Sequence, residues 1–578
     1  MEHHAEVLSG AIWQPRPPGW RDPVAVLLVL GVVILLGIGI HEMTTPFVVQ
    51  HQPEISLSPA VLPYYTLRTV MRMLAAMAAS LIFTFAYATP AGKSRRAEMV
   101  LIPILDVLQS VPILGYLSFT VAFFVSLFPG SVLGPELAAI FAIFTSQAWN
   151  MAFSFYQSLR TVPIDLDEAS RSFRASAWQR FWRLEVPFAM PGLIWNMMMS
   201  MSGGWFFVVA SEAISVGDLH LALPGVGSYV AVAIEKRDLG AVGWAILAMT
   251  VAILLYDQLL FRPLVAWADK FRAEQTAAQI VPKSWLLDLF RGSNLHQVIG
   301  EPLAAAMKRA SRARLSFTGR RHRHPRWSPP RVVGESLWLG LLAGALVYVA
   351  WAVARYAGSA LTWKDVSIVA GDGALTLARV AILVVLASIV WVPIGVGIGL
   401  RPRLTARVQP VTQFLAAFPA NLLFPIAVFL ITRFDLAPKL WLPPLMILGT
   451  QWYILFNVIA GASNFPSDLR EAAASFRVRH WSWWRDVMLP GIFPYFVTGA
   501  ITASGGAWNA SIVSETVSWG STSLSAGGLG AYIAQMTDAG DYPRIALGVA
   551  MMSVLVIAAN RLLWRPLYAY AERRTRLD

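Results

Sequence analysis

Long apolar segments recur along the whole chain, and each approaches the roughly 20 residues that a helix needs to cross a lipid bilayer. Six lie in each half of the 578-residue sequence, at about Val24–Ile40, Leu67–Thr89, Met99–Phe128, Glu136–Leu159, Phe188–Ala213 and Leu239–Phe261, then Gly334–Ala354, Leu375–Leu400, Thr405–Ile431, Leu440–Ala460, Gly491–Val517 and Arg544–Leu563. Charged residues make up only 14% of the chain, against about 25% in a soluble domain. The sequence therefore predicts an all-α polytopic membrane protein and argues against a soluble enzyme or a disordered chain.

Two local features refine this prediction. Pro112 interrupts the third segment, and because proline lacks the helical N–H donor we expect a bend there. The first segment is followed by His41-Glu42-Met43 and not by small residues, so we expect a retained helix and not a cleaved signal peptide. The chain has no cysteine, which excludes disulfides, thiolate metal sites and a cysteine nucleophile.

Basic residues orient the predicted spans. Lys93, Arg95 and Arg96 follow the second span, a set of arginines lies at 160–183, and a strongly basic stretch covers 262–331. Cytoplasmic loops of membrane proteins carry such an excess of lysine and arginine. With six spans in each half, we expect both termini and the central stretch to be cytoplasmic.

This central stretch, residues 262–331, separates a first domain at 1–261 from a second at 332–578. It contains fourteen basic and four acidic residues, which is most of the net charge of +13. We expect a tether that lies on anionic headgroups. The alternatives are nucleic-acid binding, a docking site for a partner, or metal binding by His322 and His324. Residues 284–290 have the pattern of a short interfacial amphipathic helix.

The two halves repeat each other at a constant offset of 303 residues. The matching pairs include Pro163 and Pro466, Glu168 and Glu471, Phe173 and Phe476, Trp205 and Trp508, Glu212 and Glu515, and Arg262 and Arg565. Upstream the offset changes, and we align Gln147 with Gln451 and Thr66 with Thr376. An even number of spans per unit makes the repeats parallel, and a transported solute is expected between them.

Two loop segments, 163–187 and 466–490, have more pattern than a loop between spans requires. Each starts with a proline that suits a first helical turn, followed by acidic residues that favour the positive end of the helix dipole. An aromatic stretch and a second proline follow. We interpret each segment as a docking helix for one copy of a soluble partner. The alternative is a pair of membrane-surface helices without a partner.

Both segments resemble the EAA loop of permease subunits from binding-protein-dependent ABC importers, and the chain is similar to the duplicated permeases of the nitrate, sulfonate and taurine branch. That loop contains Glu-Ala-Ala, a glycine four residues after the second alanine, and a final Leu-Pro or Val-Pro. Here Arg174 and Arg477 occupy the glycine position, and Ser170 replaces one alanine. Because glycine permits a bend, arginine predicts a straighter helix or a contact particular to this partner.

The resemblance implies a type I permease fold, two ATPase subunits as partners and a periplasmic solute-binding protein. Each loop helix would fit a groove of one ATPase, through Glu168, Ala169, Phe173, Arg174, Glu471, Ala472, Phe476 and Arg477. The glutamates would cap or form salt bridges, the alanines would allow close approach, and the phenylalanines would fill the groove. ATP and Mg²⁺ would bind the partner, so this chain is expected to be a non-enzymatic subunit in a bacterial inner membrane.

Catalytic motifs are missing from the sequence, which agrees with that expectation. Gly92-Lys93-Ser94 resembles the end of a phosphate-binding loop, but position 87 is Tyr where such a loop needs glycine. The solute implied by the resemblance is a small oxyanion or organic anion such as nitrate, sulfonate, taurine or bicarbonate, moved by alternating access. No cofactor or metal is expected in this chain.

Polar and aromatic residues within the spans are candidates for the translocation pathway. They are Trp205, Trp508, Asn509, Gln147 and Gln451. The alternative is that they only pack helices of one half together.

Glu212 and Glu515 are candidates for an outer gate. Each lies 25 residues after the proline that opens its span, about 37 Å along a straight helix, whereas the hydrocarbon core is about 30 Å thick. We therefore expect both at the periplasmic interface, with one or both of them paired with Arg68 and Arg379 or capping the adjacent turns at Gly217 and Gly520.

A second function class also fits two parallel six-helix repeats, namely an ion-coupled secondary transporter. It needs ionisable residues inside the membrane, and the spans offer mainly Asp106, Asp257, Glu212 and Glu515. A membrane-anchored nucleic-acid binder that uses residues 262–331 is a third and weaker interpretation.

Overall fold

The computed structural model describes residues 19–43, 54–216, 219–271, 284–294, 300–312 and 361–575, and four isolated residues between 344 and 355. The first half and the central stretch contain thirteen described α-helices: α1 Arg21–Met43, α2 Leu62–Lys93, α3 Arg95–Leu108, α4 Ile113–Leu127, α5 Leu133–Arg160, α6 Ile164–Ser172, α7 Ala177–Arg180, α8 Val186–Glu212, α9 Val226–Glu235, α10 Leu239–Tyr256, α11 Arg262–Ala268, α12 Trp285–Arg291 and α13 Glu301–Arg312.

The second half repeats this order from its second span onward. Its described helices are α14 Trp363–Gly399, α15 Pro402–Ala417, α16 Phe424–Arg433, α17 Pro438–Trp441, α18 Leu445–Leu448, α19 Gln451–Ser463, α20 Ser467–Ser475, α21 His480–Ser482, α22 Leu489–Ser514, α23 Leu529–Asp538, α24 Tyr542–Ala559 and α25 Arg565–Thr575. The predicted span at 334–354 lies outside the described residues, apart from three isolated positions.

A short antiparallel hairpin follows the fifth predicted span of each half, which is α8 in the first half and α22 in the second. The hairpins are β1 Ala213–Val216 with β2 Leu219–Ala222, and β3 Thr516–Trp519 with β4 Thr522–Ser525. Their registers are equivalent, since Ala213 pairs with Ala222 and Thr516 pairs with Ser525. The all-α polytopic prediction is confirmed, but the fifth helix ends at Glu212 or Ser514, and the chain turns back there in a hairpin.

Among the described residues, seven helical stretches are long and apolar enough to cross a membrane, or up to ten if each of three bent helix pairs forms one span. The predicted break at Pro112 is confirmed, because α3 and α4 meet at an angle of 100°. The second half bends by 79° between α15 and the segment Ala420–Arg433, just after Pro419. Proline at a helix start cannot continue the preceding hydrogen-bond ladder, so both halves break at equivalent places.

Helix-widening π turns also recur in both halves. They cover Phe181–Glu185 and Trp483–Met488 before the fifth helix, and Asp257–Phe261 and Asn560–Trp564 within the sixth. Each π turn joins the helices on either side of it into one continuous stretch of 30 residues or more, as in Ala177–Glu212 and Tyr542–Ala571. Hydrophobic periodicity alone does not predict such turns, because they shift the helical phase by a single residue.

The chain forms two compact units. The second unit comprises His41–Arg160, Trp195–Leu255 and His322–Asp578, and so contains most of the predicted spans of both halves. One apolar core runs through it, with fully buried side chains from each half, among them Val121, Ala139, Ile454 and Ala507. The helices of the two halves therefore fold around a shared core within this unit.

The first unit comprises Met1–Ile40, Thr161–Ile194 and Tyr256–Arg321. Ser284 caps α12, so the predicted amphipathic helix at 284–290 forms at Trp285–Arg291. The C-terminal end of α13 lies against the segment after α6: Trp178 Nε1 donates to Ala310 O at 2.8 Å, and Gln179 Nε2 donates to Arg312 O at 2.9 Å. Part of the basic stretch is thus folded against the first loop segment.

Candidate functional site

A buried glutamate joins three helices of the first half. Glu212 at the end of α8 has no solvent exposure. Its Oε1 accepts hydrogen bonds from Thr69 Oγ1 at 2.7 Å and Arg72 Nη1 at 2.6 Å, and its Oε2 accepts from Gly227 N at 2.7 Å. Thr69 Oγ1 also accepts from Val226 N at 3.1 Å. The carboxylate therefore ties α8 to α2 and to the start of α9.

A second ion pair adjoins this one. Arg72 donates to both oxygens of Glu136, at 2.6 Å and 2.7 Å, and Arg68 Nη2 donates to Glu136 Oε1 at 2.6 Å. All four charged side chains are at most 2% exposed. Two positive and two negative charges balance, which a buried cluster requires because an unpaired buried charge is very costly. We call Arg68, Thr69, Arg72, Glu136 and Glu212 the first glutamate cluster.

The second half has a smaller version. Glu515 Oε1 accepts from Thr376 Oγ1 at 2.9 Å and Arg379 Nη1 at 2.8 Å, and its Oε2 accepts from Gly530 N at 2.7 Å. Arg379 also donates to the carbonyl oxygens of two loop residues before α23. Its side chain is 12% exposed, whereas Glu515 is fully buried. We call Thr376, Arg379 and Glu515 the second glutamate cluster.

The structure corrects the predicted pairing in the first half. Glu515 does pair with Arg379, but Glu212 forms an ion pair with Arg72, and Arg68 forms one with Glu136. Arg72 lies one turn after Arg68 on the same face of α2. The alignment of Thr66 with Thr376 is also wrong. Thr69 is the equivalent of Thr376, because each donates a hydrogen bond to the glutamate of its own half.

In the second half Glu515 caps the start of the next short helix, and not the predicted turn at Gly520. Glu515 bonds the N–H groups of Gly530 and Ala531 at the start of α23, and Gly217 lies outside the described residues. A Cβ on Gly227 would meet Val209 O, and one on Gly530 would meet Ser511 O. Glycine is therefore required where each short helix approaches the fifth helix of its half.

The two loop helices, α6 and α20, present the same exposed residues. Phe173 is 86% exposed and Phe476 is 83% exposed. Ala169, Ala472, Glu168 and Glu471 are exposed as well. Each loop helix therefore ends in a large apolar side chain that the rest of the described chain leaves uncovered.

Arginine at the glycine position does not straighten these helices. Arg174 has a φ of 51° and Arg477 a φ of 54°, so both adopt the left-handed conformation that glycine favours. Ala175 N donates to Ser170 O at 3.1 Å and Val478 N to Ala473 O at 2.9 Å, which closes each helix with the same turn. The expectation of a straighter helix is therefore wrong, and each loop keeps its bend with arginine in place.

Charges on the two loop helices differ. Asp167 of α6 pairs with Arg171 at 2.7 Å and with Arg180 at 3.3 Å. At the offset of 303, Asp167 and Arg171 correspond to Arg470 and Ala474. Within α6 the salt bridges are therefore formed by Asp167, the residue before Glu168.

Two cavities lie between the halves inside the second unit. The larger, of about 280 Å³, is lined by Gln109, Ser110, Val111, Ile113, Thr145, Ser146, Trp149, Asn150 and Phe207 of the first half and by Tyr453, Ile501, Thr502, Ser504, Gly505, Gly506, Trp508, Asn509, Val556, Ala559, Asn560 and Trp564 of the second. The smaller, of about 70 Å³, is mostly apolar. Both are bordered by Phe207, Tyr453, Gly506 and Asn509.

The predicted pathway residues divide into two groups. Asn509 lines both cavities and Trp508 lines the larger one. Trp205 is 1% exposed and lines neither. Gln147 Nε2 donates to Met73 Sδ at 3.3 Å, and Gln451 accepts from Trp391 Nε1 at 2.8 Å, both within their own half. For these two glutamines the contacts match the alternative of packing within one half.

Hydrogen bonds cross between the halves at equivalent places. Asn509 Oδ1 on α22 accepts from Ile113 N at the start of α4, at 2.7 Å. A second bond runs from the second half to the first: Asn421 Nδ2 donates to Phe206 O at 3.2 Å, and Phe206 is the equivalent of Asn509 at the offset of 303. Sequence reasoning missed Asn421, Ser504 and Tyr453, because an isolated polar residue in an apolar span carries no signal of which helix it meets.

Comparison with known proteins identifies a family. The model of the binding-protein-dependent transport system inner membrane component matches residues 76–262 and again residues 390–577. The two matches coincide with the internal repeat and together cover more than half of the chain.

Individual relatives agree with the family match. The chain is 25% identical over 189 residues to a nitrate import permease protein of Leptolyngbya laminosa, covering 33% of this chain and 64% of that protein. It is 30% identical over 142 residues to a bicarbonate transport system permease protein of Synechococcus elongatus, covering 25% and 50%. It is also 31% identical over 184 residues to a glycine betaine/proline betaine transport system permease protein of Escherichia coli, covering 31% and 49%. The chain thus spans about half to two thirds of the length of these relatives.

Proposed function

Because the chain belongs to the family of binding-protein-dependent transport system inner membrane components, we propose that it is the fused membrane subunit of an ATP-driven importer. The observation that carries this proposal is the pair of exposed loop helices with the same bend in each half. Two copies of a soluble ATPase subunit, one on each helix, would supply the hydrolysis for which this chain has no motif. A solute-binding protein would deliver the solute to the opposite side.

The solute that the relatives favour is a small oxyanion. Two of the relatives described above are named for nitrate and bicarbonate, and both ions are planar, singly charged and rich in hydrogen-bond acceptors. The betaine relatives support a second candidate, a zwitterion with a quaternary ammonium group, for which the aromatic walls at Trp149, Trp508 and Trp564 are suited. The cavities between the halves form the pathway in either case.

The two glutamate clusters serve as the outer gate in this proposal. Each ties the end of a spanning helix to the short helix that follows it, so they hold the chain in one arrangement at that end of the membrane. The loop helices, the termini and residues 262–331 lie on the cytoplasmic side of the bacterial inner membrane. Labelling of a Ser311→Cys variant from that side tests this orientation cleanly, because the chain has no other cysteine.

The docking assignment is tested by Phe173→Ala combined with Phe476→Ala. Each side chain is worth roughly 2 kcal/mol at a well-packed interface, so we expect the variant to insert normally, to lose the ATPase on purification and to lose uptake. Phe434→Ala is a matched control, since Phe434 is 67% exposed and belongs to neither loop helix. Full uptake by the double variant would refute the docking assignment.

The energy source of uptake distinguishes the proposed importer from an ion-coupled secondary transporter. Uptake by the importer stops with vanadate, which traps an ATPase, and continues with a proton uncoupler. An ion-coupled transporter gives the reverse pattern. Uptake that responds only to the uncoupler would exclude the ATP-driven mechanism.

A further inference from the structure

An ion pair joins the two halves of the chain close to the larger cavity. Arg565 Nη2, at the start of α25, donates to Asp106 Oδ2, near the end of α3, at 2.6 Å. Both residues belong to the second unit, although they lie 459 positions apart in the sequence. The ion pairs of the glutamate clusters and of α6 stay within one half. This pair instead connects helices that must separate if the halves move apart.

The first half uses the equivalent arginine differently. Arg262 Nε donates to Asp257 Oδ2 at 3.2 Å, and this aspartate lies five residues earlier on the same helical stretch. At the offset of 303, Arg262 corresponds to Arg565 and Asp257 corresponds to Asn560. Because asparagine carries no charge, the local ion pair of the first half cannot form in the second. The guanidinium of Arg565 reaches an aspartate of the other half.

The reciprocal contact between the halves is neutral. At the offset of 307 that relates Pro112 to Pro419, Asp106 corresponds to Gln413. Gln413 Nε2 donates to Met198 Sδ of the first half. Equivalent positions therefore meet the opposite half on both sides, but only the contact of Asp106 is an ion pair.

The Asp106–Arg565 pair lies next to residues that line the larger cavity. Ser110, a lining residue, donates from its hydroxyl to Asp106 O at 2.8 Å. Trp564, another lining residue, directly precedes Arg565. In the proposed orientation α3 begins on the cytoplasmic side at Arg95, and α25 follows the last span into the cytoplasm. Each charged residue therefore lies on the cytoplasmic side of the lining residue beside it.

The exposure of the pair suits a contact that opens and closes. The Arg565 side chain is 53% exposed and the Asp106 side chain is 27% exposed. Water competes for both charges, so an exposed pair shifts an equilibrium by about fivefold at most. The pair of Arg72 and Glu136, in contrast, is buried and costly to separate. The glutamate clusters therefore hold a fixed arrangement, whereas the Asp106–Arg565 pair is weak enough to break and form again.

We propose that the Asp106–Arg565 pair is an inner lock, which holds the two halves together on the cytoplasmic side of the larger cavity and breaks when that side opens. The proposal rests on the proposed importer function and names residues that control one step of it. Asp106 and Arg565 are positioning residues, because they act through the helices that they join and not by contact with the solute. The switching element is the junction between α3 and α25, with a joined and a separated arrangement.

Access to the larger cavity from the cytoplasm tests the lock directly. Thr502 lines this cavity, and Thr502→Cys introduces the sole thiol of the chain. The complex with its ATPase subunits is labelled in inside-out vesicles, without nucleotide, by a maleimide that does not cross the membrane. Asp106→Asn keeps the shape of the side chain and removes its charge. We expect it to raise the labelling rate of this chain about fivefold.

An exchange of the two charges separates the ion pair from a general loss of structure. Asp106→Arg alone brings two guanidinium groups together and should increase labelling more than Asp106→Asn does. Combined with Arg565→Asp it forms an ion pair of the opposite sense, and the labelling rate should fall back towards that of the natural pair. Asp257→Asn is the matched control, since it breaks the pair of the equivalent arginine within the first half, and it should leave labelling unchanged.

Two results would overturn the lock. The first is the same labelling rate with and without Asp106→Asn. The second is a charge exchange that labels as fast as Asp106→Arg alone. If Asp106→Arg does not insert, Arg565→Gln replaces it, and unchanged labelling in Asp106→Asn and Arg565→Gln refutes the lock. Vanadate-sensitive uptake by the natural chain in whole cells is measured alongside, so that a failed lock with intact uptake leaves the proposed function standing.

Discussion

The first and second glutamate clusters share one design but differ in the number of buried charges. In each, a glutamate at the end of the fifth span is held by a threonine, an arginine and the first N–H groups of the next short helix. The first cluster adds Arg68 and Glu136 and excludes solvent. The second keeps one arginine, which is 12% exposed and bonds loop carbonyls.

This difference follows from what replaces the extra pair. At the offset of 307 that relates Arg72 to Arg379, Arg68 corresponds to Leu375. At the offset of 304 that relates Gln147 to Gln451, Glu136 corresponds to Leu440, in a bent pair of helices rich in proline. Removal of one buried charge is tolerated only if its partner is removed too. In this chain the two halves thus differ by one charge-balanced pair.

The largest effect is expected for Glu136→Gln. It leaves Arg68 and Arg72 buried with a single carboxylate, and loss of one partner of a buried pair costs about 3–5 kcal/mol. Thermal unfolding followed by fluorescence-detected size exclusion should show a much lower midpoint. Glu98→Gln is the control. Glu98 pairs with the 56% exposed Arg160 at 3.6 Å, and its other partner, the Tyr156 hydroxyl, can still donate to the amide oxygen of glutamine, so the change should cost at most about 1 kcal/mol. Equal midpoints for the two variants would contradict the assigned difference.

A combined change should recover most of that loss. Arg68→Leu with Glu136→Leu copies the leucines of the second half and leaves Arg72 paired with Glu212, as Arg379 pairs with Glu515. We expect the double variant to unfold within about 1–2 kcal/mol of the natural chain, since a buried pair replaced by apolar residues is often neutral. A loss equal to the sum of the two single variants would show that the pair is not a removable unit.

A pair of double-mutant cycles compares the two central ion pairs. Arg72→Gln with Glu212→Gln should give a coupling energy of up to about 3 kcal/mol, and Arg379→Gln with Glu515→Gln a smaller one, because water can reach Arg379. Stability and uptake are measured in parallel. If the second cycle couples more strongly, solvent exposure does not set the strength of these pairs.

The smallest effect is expected at the loop helices, where the halves agree. Arg174→Gly and Arg477→Gly relieve a left-handed backbone but increase the freedom of the unfolded chain, so each should change stability by no more than about 1 kcal/mol. Both should keep ATPase binding. Arg171→Gly, within α6, serves as the contrast and should destabilise by about 1 kcal/mol. A large effect at only one of the two arginines would mean that the bends are not equivalent.

Much of the architecture was predictable from local patterns. Apolar runs, the repeat at 303 residues and the prolines that open the loop helices are properties of neighbouring residues. They were found where predicted, except that the run at 334–354 lies almost entirely outside the described residues and the fifth span of each half ends at a hairpin. The bend at Pro112 has the same origin, since a missing N–H donor acts within one turn. The left-handed arginines were not predictable, because that conformation is decided by how the whole loop closes.

The sequence did not predict which charged side chains would pair. Arg68 and Arg72 are one turn apart and lie on the same face of α2, so pattern alone does not say which of them meets Glu212. The packing of α2 against α5 decides it, because it brings Glu136 between the two arginines. The cavities depend on the same kind of information. The sequence by itself determined the spans, the duplication and the exposed loop helices, whereas only tertiary structure decided which buried charges and polar groups face one another, since those contacts join helices far apart along the chain.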